Sequence, residues 1–175
     1  MTPPTVVPIH EGALRAVIDL LEHERLMTVA VNRPDGWPQA TTVGYVSEGL
    51  NLYFVTARDS QKLENIQADP RVAVAVRGRG GAAGAVGLSL AARAAEVTDP
   101  HEIERLNQLV IARYPEANVY APSGHSVAVV RLTPEIVTAV GVIDGRSQAR
   151  SFSIGEIDAS GAPVTVQPSA VSRLF

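Results

Sequence analysis

The stretch from Leu50 to Val76, LNLYFVTARDSQKLENIQADPRVAVAV, constrains this chain more than any other part of it. It reads as strand, short helix, strand. Leu50 to Thr56 is rich in β-branched and aromatic residues, which suit a pleated, half-buried surface. Asp59 or Ser60 can then cap a helix, because a short side-chain oxygen accepts from the free N–H groups of the first turn. Leu63 and Ile66 place apolar side chains on one helical face, and Pro70 stops the helix after barely two turns. Val72 to Val76, VAVAV, follows as an almost wholly apolar strand.

The charges in this stretch are in the wrong place for an isolated helix. Arg58 and Lys62 flank its amino end, where the macrodipole is already positive and a cation is mildly destabilising. An anion there reverses the balance. Exposed N–H groups, a Ser hydroxyl and two cations at a helix start make a phosphate site. A solvated Arg and Lys beside a turn is the ordinary alternative, and this stretch alone favours it.

The neighbouring segments add an antiparallel meander. Leu26 to Val31 predicts a strand, Arg33-Pro34-Asp35-Gly36 a turn, and Gln39 to Val46 a second strand. Ser47-Glu48-Gly49 predicts another tight turn into the strand at Leu50. Trp37, the only tryptophan, follows the first turn and reads as a partly buried rim residue. Upstream, Leu14, Val17, Ile18 and Leu21 form one apolar stripe on a helix from Glu11 to Glu22. Downstream, a strand of small residues runs from about Gly87 to Thr98. Asp99-Pro100-His101-Glu102 opens a further helix, with Asp99 as cap, Pro100 in the first turn and Glu102 completing a capping box. Ile103, Leu106, Leu109 and Val110 give it an apolar face, and Tyr114-Pro115 ends it. Ser126 to Leu132 and Ile136 to Ile143 read as two last strands separated by Thr133-Pro134. Beyond Asp144 the chain turns to Ser, Gly, Ala and Pro, and two readings stay open: a strand at Val164-Thr165-Val166, or a tail lying across a neighbouring subunit.

A chain of 175 residues accommodates one domain with a full core. The division expected is an extended arm over residues 1–10, a folded domain over 11–143 and a carboxy-terminal extension over 144–175. A net charge of −3 gives no general attraction to nucleic acid or anionic lipid. The absence of cysteine excludes disulfides, thiolate catalysis and Cys-based metal sites, and is compatible with a reducing cytoplasm. No apolar run approaches membrane-spanning length. The opening MTPPTVVPIHEG lacks a basic region and carries three prolines, so it does not read as a secretory signal. Cytoplasmic residence is the expectation.

Other chemistry is thin. Gly78-x-Gly80-x-x-Ala83 superficially matches a dinucleotide-binding fingerprint, but the segment after it has no capping signal and hairpins precede it. It is read as a hairpin loop. Gly87-Leu88-Ser89-Leu90-Ala91 half-matches a nucleophile elbow, yet lies inside a strand. His10, His23, His101 and His125 show no paired ligand spacing, so no metal site is assigned. His125, beside Gly124, is a surface loop histidine whose rival reading is an axial haem ligand. A chain with so little catalytic side-chain chemistry binds something or borrows its chemistry from a cofactor.

Taken together, TVAV, the DGWPQATTV hairpin, LYFVTARDSQKLENIQADPRVAVAV and the SLAARAAEVTD strand resemble the pyridoxamine 5′-phosphate oxidase-like family of flavin-binding split barrels. The similarity spans roughly Leu14 to Val142. It implies a mainly β fold with flanking helices, an antiparallel split β-barrel of FMN-binding type. It also implies a homodimer with two cofactor sites at the interface and a small-molecule substrate. FMN is the cofactor implied, with the deazaflavin F420 as the alternative and haem in a few relatives. In the family the phosphate is held by a basic residue on strand two and by Ser-x-Lys after strand three. Here Ser60-Gln61-Lys62 matches the second element, and Thr56, followed by Ala57, matches the hydroxyl residue that ends strand three. The first element departs: strand two carries Thr41-Thr42-Val43, whose hydroxyls and backbone N–H groups offer less charge. The family's carboxy-terminal grip on pyridoxamine phosphate finds no match, so vitamin B6 oxidation is not expected. The resemblance implies a flavin- or deazaflavin-dependent oxidoreductase, its rival being a non-catalytic flavin- or haem-binding protein of the same fold. No catalytic residue is assigned.

Overall fold

The computed structural model describes residues 5–78, 86–115, 126–143 and 145–167. His125 and residues 79–85, which include most of the glycine motif, lie outside the described residues. In chain order, β1 (Val6–Pro8) leads into α1 (Glu11–His23), then β2 (Leu26–Asn32), β3 (Pro38–Gly44) and β4 (Val46–Glu48). These are followed by β5 (Asn51–Ala57), α2 (Gln61–Ala68), β6 (Arg71–Arg77) and β7 (Val86–Val97). The series ends with α3 (Pro100–Arg113), β8 (Val127–Ile143) and β9 (Arg146–Ser153). No helix among the described residues is long and apolar enough to cross a membrane.

All the strands join one mixed sheet in the order β1-β9-β8-β7-β6-β2-β3, with β4 and β5 attached through β8. Pairing is antiparallel throughout except between β1 and β9. The sheet does not close. β3 lies alongside β5 without hydrogen-bonding to it, which leaves the barrel split.

Alternation explains the core. Met27, Val29 and Val31 of β2, and Val72, Val74 and Val76 of β6, face one cluster. Leu88 and Leu90 of β7 join it, and α1 covers it with Ala13, Val17 and Leu21. Leu63 and Ile66 of α2 enter the same cluster, as their spacing predicts. A smaller cluster lies on the other side of β5, where Leu106 and Tyr114 of the α3 segment meet Val46, Tyr53, Val97 and Val129.

Several expectations are corrected. The two last strands are one: β8 runs unbroken through Thr133-Pro134, and the irregularity is a bulge. Ala91 pairs with Ile136 and Ala92 with Pro134, so Glu135 is the extra residue. That insertion switches the parity of β8, whose core residues are Val130 and Leu132 before it and Val137 and Ala139 after it. A bulge tolerates the missing N–H of proline, which is why Pro134 does not end the strand. Ser47 and Glu48 belong to β4 and pair with β5, and the chain reverses at Gly49 with φ +55°.

The carboxy-terminal strand is Arg146–Ser153 rather than Val164–Val166. Beyond it, isolated bridges join Ile157 to Pro163 and His10 to Gln167. The first four residues of β9 are all exposed, so the apolar alternation that reveals a strand is missing. Trp37 is 73% exposed, not a partly buried rim residue. Glu102 turns to Arg131 of β8 at 3.5 Å instead of closing the capping box, while Asp99 caps α3 by accepting from the His101 amide.

Candidate functional site

Ser60 is the residue that fixes the start of α2. Its backbone is extended and its hydroxyl oxygen accepts from the Leu63 amide at 3.3 Å. Asp59, the alternative cap, is not used. Thr56 is the last residue but one of β5, and its Oγ1 lies 3.0 Å from the Ser60 Oγ. The first-turn N–H groups of Gln61 and Lys62 have no acceptor within the helix, as at any helix start.

Lys62 stands in the first turn, half-buried, with Nζ 5.6 Å over the Phe54 ring. No carboxylate pairs with it among the described residues, and desolvation holds its pKa below the usual lysine range. A half-desolvated cation without a counter-ion is poised for an anionic ligand.

The other predicted cation is not available. Arg58 donates to Glu96 at 2.7 Å and to the Val127 carbonyl at 3.3 Å, which ties it to β7 and β8. The side chain of Gln61 is also engaged, donating to Glu64 and Asn65. Ala57 is exposed and pairs through its backbone with Val127.

On β3 the strand pleat divides the predicted residues. Thr41 is half-buried on the side that carries Val43, which packs against the main core. Thr42 is exposed on the opposite face, its Oγ1 3.4 Å from that of Thr28. Successive side chains point to opposite faces, so Thr41 and Thr42 cannot both reach one phosphate with their hydroxyls. The structure brings the Thr56 and Ser60 hydroxyls together, sets Lys62 two residues further on over the Phe54 ring, and divides the β3 residues between two faces.

Sequence reasoning missed two parts of this region. Phe54 carries Lys62 on its ring, and Asn65 donates to Gln39 of β3 at 3.3 Å, holding α2 against that strand. A polar residue two positions after Leu63 on a short helix was the available signal. The residues present fit a phosphate in donor type and charge: two hydroxyls, first-turn helix amides and a lysine with no carboxylate partner among the described residues. Among the described residues, no group of three or more His, Asp or Glu side chains is placed to hold a metal.

Comparison with known proteins agrees with this architecture. Among solved structures, a heme-binding protein from Mycobacterium smegmatis superposes with a TM-score of 0.63 at 19% identity, covering 85% of this chain and 59% of that one. A FAD-binding protein from Mesorhizobium loti gives 0.57 at 22% identity, over 73% of this chain and 90% of that one. An F420 reductase gives 0.56 at 24% identity, over 68% and 93%. At these identities the likeness is one of fold. No curated protein matches the sequence. The sequence model of the family described as pyridoxamine 5′-phosphate oxidase matches residues 13–141, from within α1 to near the end of β8, a span that takes in β2 to β7 and the α2 site and leaves β1 and β9 outside. That span is most of the chain, and with the fold it shows that this protein belongs to the pyridoxamine 5′-phosphate oxidase family.

Proposed function

We propose that this chain binds FMN or the deazaflavin F420, with the cofactor's phosphate at the amino end of α2, and uses it in redox chemistry on a small molecule. The observation that carries the reading is Lys62, a half-buried ammonium over the Phe54 ring without a carboxylate partner among the described residues, in the first turn of the helix that Ser60 caps. Solved structures of similar fold include a FAD-binding protein and an F420 reductase, beside a heme-binding protein, which supports a flavin-type ligand with haem as the rival. A flavin or deazaflavin supplies hydride exchange when bound. The chain's own residues do the holding. Lys62 supplies the charge, Ser60 and the first-turn amides supply directed donors, and Asn65 keeps α2 in place against β3.

The same reading includes a two-fold homodimer that completes the site. Its support is the outer face of the sheet, where cross-strand register aligns Thr42, Thr28, Ala75, Ser89 and Thr138 in one row of small side chains. Leu26, Val140 and Val142 flank this face 61%, 40% and 49% exposed. Small residues allow close approach of a second sheet, and the exposed apolar flank gains by being covered.

Titration of FMN, F420 and, as a control, haem into purified wild type and Lys62→Ala tests the assignment. Wild type is expected to take up one of the two flavin-type ligands. Losing one charge-assisted contact in a partly desolvated site then weakens that binding by roughly ten- to a hundredfold. Uptake of neither ligand, or equal uptake by the variant, overturns the reading. Uptake of haem alone favours the rival reading, a non-catalytic haem-binding protein of the same fold. Sedimentation as a monomer at micromolar concentration removes the shared-site part.

A further inference from the structure

Lys62 is the only lysine of the chain; every other residue among its fifteen lysines and arginines is arginine. The difference is chemical. A guanidinium keeps its charge in a protein, whereas an ammonium becomes a nucleophilic amine where its charge is disfavoured. The molecule thus carries a single side-chain amine, in the first turn of the helix that Ser60 caps.

The fold gives that ammonium little support. Lys62 is half-buried over the Phe54 ring, and burial pulls its pKa below the usual lysine range. The strands packed against α2 are β2, β3, β5 and β7. β2, β3 and β5 carry no charged residue. On β7, Glu96 is held by Arg58 at 2.7 Å and Arg93 by Glu135 at 2.6 Å. On α2 itself, Glu64 accepts from Gln61 at 3.1 Å. At the ends of the helix, Asp59 is exposed and Asp69 serves Arg71 and Asn32. The positive end of the helix disfavours a cation further. An amine so placed gives up its proton more readily than an ordinary lysine, and its half-burial leaves it open to a small reagent.

An acyl phosphate matches both features of this helix start. Its phosphate suits the first-turn amides and the Thr56 and Ser60 hydroxyls, whose oxygens are 3.0 Å apart. Its acyl carbon is an electrophile for an uncharged amine. The Nζ lone pair attacks that carbon, and the bond from carbon to the phosphate oxygen breaks. Phosphate leaves with the electron pair and takes a proton from the nitrogen. A neutral amide remains on Lys62.

We infer that Lys62 is an acylation site for small acyl phosphates, and that its conversion to a neutral amide switches off the hold on the cofactor's phosphate. The switch rests on the cofactor reading above; the acylation site does not.

Acetyl phosphate on the purified chain tests both, with trypsin as the readout. Trypsin cuts after Arg58, Arg71 and unmodified Lys62, so an intact peptide of residues 59–71 with one acetyl group measures reaction at this amine. Folded protein is expected to be acetylated at Lys62 roughly tenfold faster than the chain unfolded in guanidinium chloride, the worth of one charge-assisted phosphate contact. Inorganic phosphate slows the folded reaction, and the phosphate-free donor p-nitrophenyl acetate gives a smaller ratio of folded to unfolded rates. Equal rates in the two chains, or indifference to inorganic phosphate, overturn the site.

Acetylated wild type is then expected to take up FMN or F420 roughly ten- to a hundredfold more weakly, as Lys62→Ala does. Lys62→Arg keeps a cation that acetyl phosphate cannot neutralise, so its uptake is the same before and after treatment. An equal loss in treated Lys62→Arg overturns the switch. Fast acetylation that leaves wild-type uptake unchanged supports the acylation site, overturns the switch and removes the cofactor's phosphate from α2. If wild type takes up neither cofactor, the cofactor reading and the switch fall together, and the peptide rates alone decide the site.

Discussion

Gly49 and Gly161 interlock at the turn between β4 and β5. The Gly161 carbonyl accepts the Leu50 amide at 2.8 Å, and both glycines have positive φ, +55° and +78°. A Cβ on Gly161 runs into the Glu48 carbonyl oxygen, and one on Gly49 into the Gly161 backbone. This contact clamps the carboxy-terminal extension to the turn that feeds β5. Gly161→Ala is therefore expected to destabilise by about 2 kcal/mol or more, combining left-handed strain with a backbone clash. Gly36→Ala is the control. Its φ is +85° but nothing lies within 4 Å of the added atom, so strain acts alone and the cost is about 1–2 kcal/mol. Thermal melts of the two variants, with proteolysis of the extension, separate strain from clash.

The meander and α2 were legible because their patterns are local. Alternating valines in β6, the Ser60 cap and the Pro70 stop each signal through neighbours in sequence. What was not legible depends on partners far along the chain. β9 is recognisable only by its pairing with β8, and the Glu135 bulge only by the register of β7 against β8. At the site, Ser60 and Lys62 could be read from the charge misplaced at a helix start. The loss of Arg58 to Glu96 could not, because those residues are 38 apart in sequence.

The bulge on β8 gives a prediction about register. Deleting Glu135 removes the extra residue and forces Val137 and Ala139 out of the core, or Val130 and Leu132 if the slip goes the other way. The deletion is expected to abolish soluble folded protein. Glu135→Ala keeps the count and loses only an ion pair to Arg93 whose partners are 58% and 55% exposed, a change of less than about 1 kcal/mol. Expression in the soluble fraction and the melting midpoint compare the two. A folded deletion variant would show that β8 tolerates either parity.

Asp69, which ends α2, sets an acid-side prediction. Its carboxylate accepts from the Arg71 side chain at 2.7 and 2.9 Å, from the Arg71 amide at 3.1 Å, and from Asn32 at 2.9 Å. The Arg71 side chain first, then the Arg71 amide and Asn32, hold its pKa well below the usual carboxylate range. A folded pKa below the unfolded one means that the contribution is present at neutral pH and is lost as pH falls below about 4. Asp69→Asn is expected to lower the urea midpoint at pH 7 and to flatten its decline between pH 5 and pH 2. Parallel wild-type and variant curves across that range would exclude the mechanism.

Ser60 allows the cap and the ligand to be separated. Its oxygen serves the Leu63 amide whatever binds outside, so Ser60→Ala removes a helix cap and is expected to cost about 1 kcal/mol without ligand. A bound phosphate loses only one hydroxyl contact in that variant. Ser60→Asp does the opposite. Aspartate caps as well as serine and suits the positive end of α2, so the ligand-free melting point is expected to hold or rise. It also places a carboxylate near Lys62, giving that ammonium a counter-ion that no described residue supplies and repelling a phosphate. Binding of FMN or F420 should then fall by more than in Ser60→Ala, although the protein is the more stable of the two. Melting curves without ligand and titrations with it give the two orderings. If both variants rank the same way in stability and in binding, the amino end of α2 acts through folding alone and is not where the anion is held.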